Sequence, residues 1–444
     1  MSSRQDEVPK LTPPGEIARR PVIYDVTRIV TRALNAAPNG IDRVDFALAR
    51  HFLARNARAR EALICTAIGP RLADPNLALE TIEGVESLWR EDGDPEEDDV
   101  YRRVVEALGS KDSAVSSLAR ARKRPDLLFL ERNWRAMRRW APHLGRPLRE
   151  APEGAVYFNV TQFLVDRSWY VRWLTARTDV KPVFFVHDLL PIEAPEFFRA
   201  REAMLHPRRI SNICRYGAGA VVGSHAVARR LRQYAAENGR PELPVCVARL
   251  PVSPLFSSPA EPPAALDDVN YFVVCGTIEP RKNHLTLLNA WRVLTSDPAP
   301  PKLVIVGKRG WLNGPVIETL ERSVALRPHV IEAGGLSTPG LRRLLAGARA
   351  LLMPSFAEGF GLPVAEALAA GTPVVASDIE AFREVGGQAI DYVDPLDGRG
   401  WLQAVRDYAT PDSPRRRAAL ERNKGAVAGS DAFLATIDEF IARL

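Results

Sequence analysis

Residues 351–378 read LLMPSFAEGFGLPVAEALAAGTPVVASD, and their spacing decides the fold. An apolar run, Ala350 to Pro354, has the length of a buried strand and ends in a loop bearing Glu358, Gly359, Phe360 and Gly361. Pro363 starts a helix, where its missing N–H leaves no hydrogen bond unmade. Gly371 stops that helix, and Pro373 leads into a second apolar run, Val374 to Ala376. The unit is strand, loop, helix, strand, which predicts a parallel sheet covered by helices.

In such a unit the loop lies at the carboxyl end of the sheet, where open α/β sheets place ligands, and the helix points its positive end there. Two carboxylates flank the spot. Glu358 sits in the loop and Glu366 eight positions on, in the helix, so both can face one crevice. A carboxylate only accepts hydrogen bonds, which suits paired sugar or ribose hydroxyls. Read singly, Glu366 is a helix charge and Glu358 a solvated loop residue; the Gly-x-Gly loop between them favours the joint reading.

The stretch FAEGFGLPVAEALAAGTPVVAS resembles the Glu-x7-Glu signature of retaining glycosyltransferases of family four, which have the GT-B fold. The resemblance implies two facing Rossmann-like, doubly wound α/β domains and a C-terminal helix crossing back to the first. It is specific over residues 270 to 390 and weaker over 85 to 150.

A chain of 444 residues exceeds what one core supports, so two domains are expected. The expected boundaries are a disordered start at 1–20, a first domain at 21–250, a Pro-rich linker at 251–268, a second domain at 269–430 and a closing helix at 431–444. No apolar run reaches the length of a membrane span, and the polar start lacks a signal-peptide core, which predicts a cytoplasmic protein. Cys65, Cys214, Cys246 and Cys275 lie far apart in apolar surroundings and read as reduced thiols, not metal ligands.

The net charge of +6 is uneven. Residues 114–150 hold ten Arg or Lys against three Asp or Glu. Within them Leu130, Trp134, Met137 and Ala141 recur at helical spacing among arginines, and two readings stand: a basic helix on an anionic membrane surface, or a core stripe with solvated charges. No nucleic-acid motif accompanies the charge. The acidic run from Glu91 to Asp99 contains Asp-Gly-Asp, a metal-binding pattern elsewhere, but its charged setting reads as a solvated loop.

Val22 to Val26 reads as the first strand, followed by a loop with Gly40 and an amphipathic helix bearing Val44, Leu48 and Phe52. Locally, Gly40 is a turn and Asp42 a helix cap. The resemblance of YDVTR…NGIDRVDFA to polysaccharide-assembling members, including O-antigen mannosyltransferases, implies Gly40 near the donor diphosphate and Asp42 and Arg43 near the acceptor. Further strands, 156–160 and 182–186, precede His187-Asp188, a titratable pair at a strand end. Spacing alone leaves His187 a strand-end residue and Asp188 a cap; the family implies that His187 approaches the donor sugar.

In the second half, GTIEPRKNH (276–284) sets Arg281 and Lys282 at a helix start, where cations and helix dipole together attract phosphate. It resembles the family's diphosphate loop. Gly307 opens another glycine loop. Gly335 and Leu336 match the turn by which the family holds the base. Arg281, Lys282, Glu358 and His187 are the expected catalytic group. Gly276, Gly307, Gly335, Leu336, Gly359, Phe360, Gly361, Leu362 and Glu366, with Gly40, are the expected donor contacts. No metal and no cofactor beyond the nucleotide-diphosphate sugar substrate is expected. The implied reaction is retaining transfer of a hexose, mannose or a relative, to a polyprenyl-diphosphate-linked glycan at the inner membrane face. The alternatives are a UDP-dependent glucosyl- or galactosyltransferase and a non-catalytic nucleotide-sugar-binding subunit. A nicotinamide oxidoreductase is disfavoured because no Gly-x-Gly-x-x-Gly follows the first strand.

Overall fold

A computed structural model describes residues 20–32, 40–54, 60–89, 93–110, 145–424 and 431–444. These residues form two sheets. The first comprises β1 (Val22–Asp25), β2 (Arg60–Thr66), β3 (Gly69–Ala73), β4 (Val156–Asn159), β5 (Lys181–Val186), β6 (Gly219–Val222) and β7 (Val245–Val247), in the order β3-β2-β1-β4-β5-β6-β7. All pairs are parallel except β2 with β3. The second comprises β8 (Tyr271–Cys275), β9 (Lys302–Val306), β10 (Val330–Ala333), β11 (Leu351–Met353), β12 (Val374–Ser377) and β13 (Asp391–Val393), all parallel, in the order β10-β9-β8-β11-β12-β13.

Both sheets are buried on two faces because successive side chains on a strand point opposite ways. Tyr24, Phe158 and Phe185 enter one core, and Ile23, Tyr157 and Phe184 the other. The second sheet divides likewise, with Tyr271 and Val273 on one side and Phe272 and Val274 on the other. This is the two-domain α/β architecture of GT-B proteins. Strand order reverses between β1 and β4 and between β8 and β11, so each domain has its ligand crevice at those carboxyl ends.

Three elements depart from the sequence expectations. The hairpin strand β3, GPRLA, escapes detection because its glycine and proline read as a turn. The passage 251–268 is not a loose linker: a short helix, Pro254–Ser257, carries Phe256, wholly buried in the second domain's core. The described acidic residues of the acidic stretch are exposed except for Asp98, but the stretch leads straight into a helix that Asp98 caps, Asp99–Gly109, whose Val100, Tyr101, Val104, Ala107 and Leu108 are built into that same core. The basic helical stripe expected at 130–141 lies outside the described residues.

The closing helix, Asp431–Ala442, returns to the first domain, where Phe433, Ile437 and Ile441 join the core and His51 meets Asp438 at 2.9 Å. Among the described residues no helix is long and apolar enough to cross a membrane.

Candidate active site

The loops after β8 and β11, neighbours at the second sheet's switch point, bring the expected charged residues together. Lys282 and Glu358 form a buried ion pair, and Arg281 Nη1 lies 2.6 Å from the other oxygen of Glu358. Ser355 Oγ donates to Glu358 at 2.8 Å. Glu279 meets Arg281 Nε at 2.7 Å. Burial opposes the charge on Glu358, yet Lys282 and Arg281 overcome it and hold the carboxyl at about 2. Burial lowers the Lys282 ammonium, and Arg281 adds to that despite the pull of Glu358.

Glycines let the backbone around this cluster pack closely. Gly276 and Gly307 sit side by side at the ends of β8 and β9; a Cβ on Gly307 would fall 1.9 Å from the Gly276 carbonyl oxygen. Gly361 adopts φ 105°, a left-handed conformation that glycine takes without strain, and its turn starts the helix Leu362–Ala369. Phe360 is buried in the core beneath.

The first domain closes over this loop. A Cβ on Gly359 would lie 2.6 Å from the His187 carbonyl oxygen, and Ser224 Oγ donates to the Gly359 carbonyl at 2.9 Å. Glu384 accepts from the N–H groups of His225 and Ala226 at 2.7 and 3.2 Å, capping the helix His225–Glu237 from across the cleft. Phe197 stacks on Phe356 with centroids 5.7 Å apart. His187 Nε2 is 2.9 Å from the Val160 carbonyl oxygen, and burial lowers its pKa to about 4, so the ring is neutral near pH 7.

Arg43 and Asp42 do not share one neighbourhood. Asp42 is buried, 3.6 Å from Arg28. Arg43 reaches across the cleft to pair with Glu366 and donates to Thr338 Oγ1 at 2.9 Å. It therefore stands beside the carboxylate expected to hold ribose. Gly40, at the start of the same helix, Gly40–Leu53, faces Leu362, with 3.6 Å from its notional Cβ to the leucine methyl. Gly335 has φ 87°, and with Leu336 it forms the turn after β10.

Sequence reading missed a polar network at the first domain's switch point. Asp25, ending β1, accepts from Tyr170 at 2.6 Å and from Tyr157 and Asn159 at 2.7 Å each. Nearby, Tyr24 donates to Asp45 at 2.7 Å, and burial raises Asp45 to about 8. Asp25 and Asn159 each end a strand flanking the reversal, a placement visible only once strand order is known. Asp94, of the Asp-Gly-Asp run, accepts from Glu96 N at 2.9 Å. Among the described residues no group of three or more His, Cys, Asp or Glu forms a metal site.

The fold is that of a GT-B protein, and residues 260–394 match the family described as Glycosyl transferases group 1. The match lies in the second domain's half of the chain. The chain is similar to the serotype-specific mannosyltransferase WbdA of Escherichia coli, 29% identical over 51% of this chain and 29% of that protein. It is 36% identical to the O-antigen chain mannosyltransferase B of Escherichia coli over 33% of this chain and 39% of the relative. The chain thus spans well under half the length of these relatives. Sucrose-phosphate synthase from Thermosynechococcus elongatus shares the fold, with a TM-score of 0.51 at 18% identity over 71% of this chain and 79% of that one.

Proposed function

We propose that the chain transfers a hexose from a nucleotide-diphosphate sugar to a hydroxyl of a growing surface glycan, with retention at the anomeric carbon. The observation that carries this reading is the buried Arg281–Lys282–Glu358 cluster at the second domain's switch point, in a loop whose Gly359 packs against the His187 backbone of the facing domain. Arg281 and Lys282 hold the diphosphate and stabilise it as it leaves, the service a divalent cation renders in other folds. Glu358 orients both cations and accepts from the donor sugar's hydroxyls. Glu366 accepts from the ribose, sharing its charge with Arg43. The turn at Gly335 and Leu336 takes the base, and Gly40, Gly276, Gly307, Gly359 and Leu362 bring backbone close to the phosphates.

Neutral His187 contacts the sugar near the reacting carbon. The acceptor oxygen attacks from the face that the diphosphate leaves, and the departing phosphate oxygen takes its proton. The protein contributes position and charge. The similarity to O-antigen mannosyltransferases supports a mannose-type donor sugar; a GDP-linked donor and a polyprenyl-diphosphate-linked acceptor at the inner membrane face belong to the proposal.

The test is turnover of a nucleotide-sugar panel by the wild type and by Lys282→Ala. Removing one charge-stabilising donor costs about 10²- to 10³-fold in turnover. Lys282→Ala retaining turnover within about threefold, while still folded, contradicts the assigned role.

A further inference from the structure

Residues 93–110 come from the first half of the chain but pack against the second domain. Lys302 Nζ donates to the carbonyls of Ala107, Leu108 and Ser110 at 2.8, 2.9 and 2.6 Å, securing the end of the Asp99–Gly109 helix. Glu96 meets Arg343 at 2.8 Å. The apolar face between these two anchors is core. The helix is a fixed part of the second domain's wall.

Its N-terminal residue touches the site. Asp98 Oδ1 caps its own helix at Val100 N, 2.9 Å away, while Oδ2 accepts from Ser337 N at 2.7 Å. Ser337 in turn caps the helix Thr338–Gly347, accepting at Oγ from Gly340 N at 3.2 Å. Tyr101 Cβ packs 3.3 Å from the notional Cβ of Gly340, beside the Leu336 methyl. Gly335, Leu336, Ser337 and Thr338 are consecutive, and Thr338 shares Arg43 with Glu366. One buried carboxylate therefore fixes the turn adjoining the ribose carboxylate.

The geometry points to Asp98 as a positioning residue for the nucleoside end of the donor. This deepens the proposed function and rests on its assignment of the turn at 335–336 to the base. Asp98 acts through Ser337 N: it holds the turn in its left-handed course at Gly335 and so sets where base and ribose sit. The diphosphate end, at Arg281 and Lys282, does not depend on it.

Asp98→Asn isolates the contact, since Oδ1 can keep the Val100 cap while the new amide faces Ser337 N–H as donor against donor. Affinities are measured for whichever of GDP, UDP, ADP or dTDP the wild type binds tightest, and for inorganic pyrophosphate. The expected result is a loss of about tenfold or more for the nucleoside diphosphate, as for a hydrogen bond to a charged group, with pyrophosphate unchanged within roughly twofold. Glu96→Gln, which breaks only the Arg343 pair in the same insertion, should change neither. Equal losses for both ligands, or none, overturn the proposal. Failure of the wild type to bind any nucleoside diphosphate would instead refute the function on which it rests.

Discussion

Replacing Gly359 by alanine sets a methyl carbon 2.6 Å from the His187 carbonyl oxygen and 3.0 Å from Asp188 Cβ. The first of these is backbone, so no side-chain rotation relieves it. Gly359 does not take a positive φ, and the cost is therefore one of space alone. Because His187 and Gly359 belong to facing domains, the cheapest relief is separation of the two. Ordinary contact begins near 3.4 Å, so the domains must part by about 0.8 Å at this point. That movement stretches the 2.9 Å bond from Ser224 to the Gly359 carbonyl and draws the His187–Asp188 strand end away from the loop that carries Glu358. A misplacement near 1 Å costs about 10²-fold in rate when catalysis rests on positioning. The assay is steady-state release of nucleotide from the sugar nucleotide that the wild type consumes, with binding of the product diphosphate measured alongside. Turnover should fall by about two orders of magnitude, with a smaller loss of diphosphate affinity, because Arg281 and Lys282 stay in place. Turnover within threefold of wild type would show that closure at Gly359 does not align the reacting groups.

Asp45→Asn should alter stability in a pH-dependent way. Folded Asp45 keeps its proton to about pH 8, whereas the unfolded residue releases it near 3.8, so wild-type stability from this group falls as pH rises between those values. Asparagine does not titrate, and the variant should gain on the wild type between pH 5 and 8 by at most about 1.4 kcal/mol per unit; thermal melts at three pH values with a constant offset would refute this. His187, neutral above its pKa of about 4, should leave turnover without a titration near pH 6.5, read from the pH–rate profile. Burial depresses it, so its stability contribution is intact near neutrality and is lost as pH falls toward 4. Phe256→Ala removes a wholly buried ring from the 251–268 passage and should lower unfolding free energy by about 3–5 kcal/mol in a denaturant titration. A loss under about 1 kcal/mol would return that passage to the standing of a loose linker.

The second domain was readable because its strands are short apolar runs punctuated by Gly and Pro, each followed by an amphipathic helix. The charged cluster was readable for the same reason, since Arg281, Lys282 and Glu358 all follow strand ends that become neighbours. Pairings across the cleft were not. Nothing in the spacing of Gly40, Asp42 and Arg43 reveals that Arg43 ends on Glu366, because that contact depends on how two domains face each other. The docking of Asp99–Gly109 was hidden by its acidic prelude. Asp94 and Asp98 both look solvated by composition; Asp94 is exposed, whereas Asp98 is a buried cap shared with a turn 239 residues on. β3 shows the reverse failure, a Gly-Pro pair inside a real strand at the sheet edge, where proline costs no ladder bond.

Ligand-induced thermal stabilisation tests the central claim most directly, comparing wild type with Lys282→Ala against GDP, UDP, ADP, dTDP and NAD, each with and without EDTA. A diphosphate bound at 100 times its Kd stabilises by about 2.7 kcal/mol, well above detection. The account predicts a shift with a nucleoside diphosphate that EDTA leaves intact and Lys282→Ala abolishes. A shift with NAD alone, or one that survives Lys282→Ala and disappears with EDTA, would contradict it.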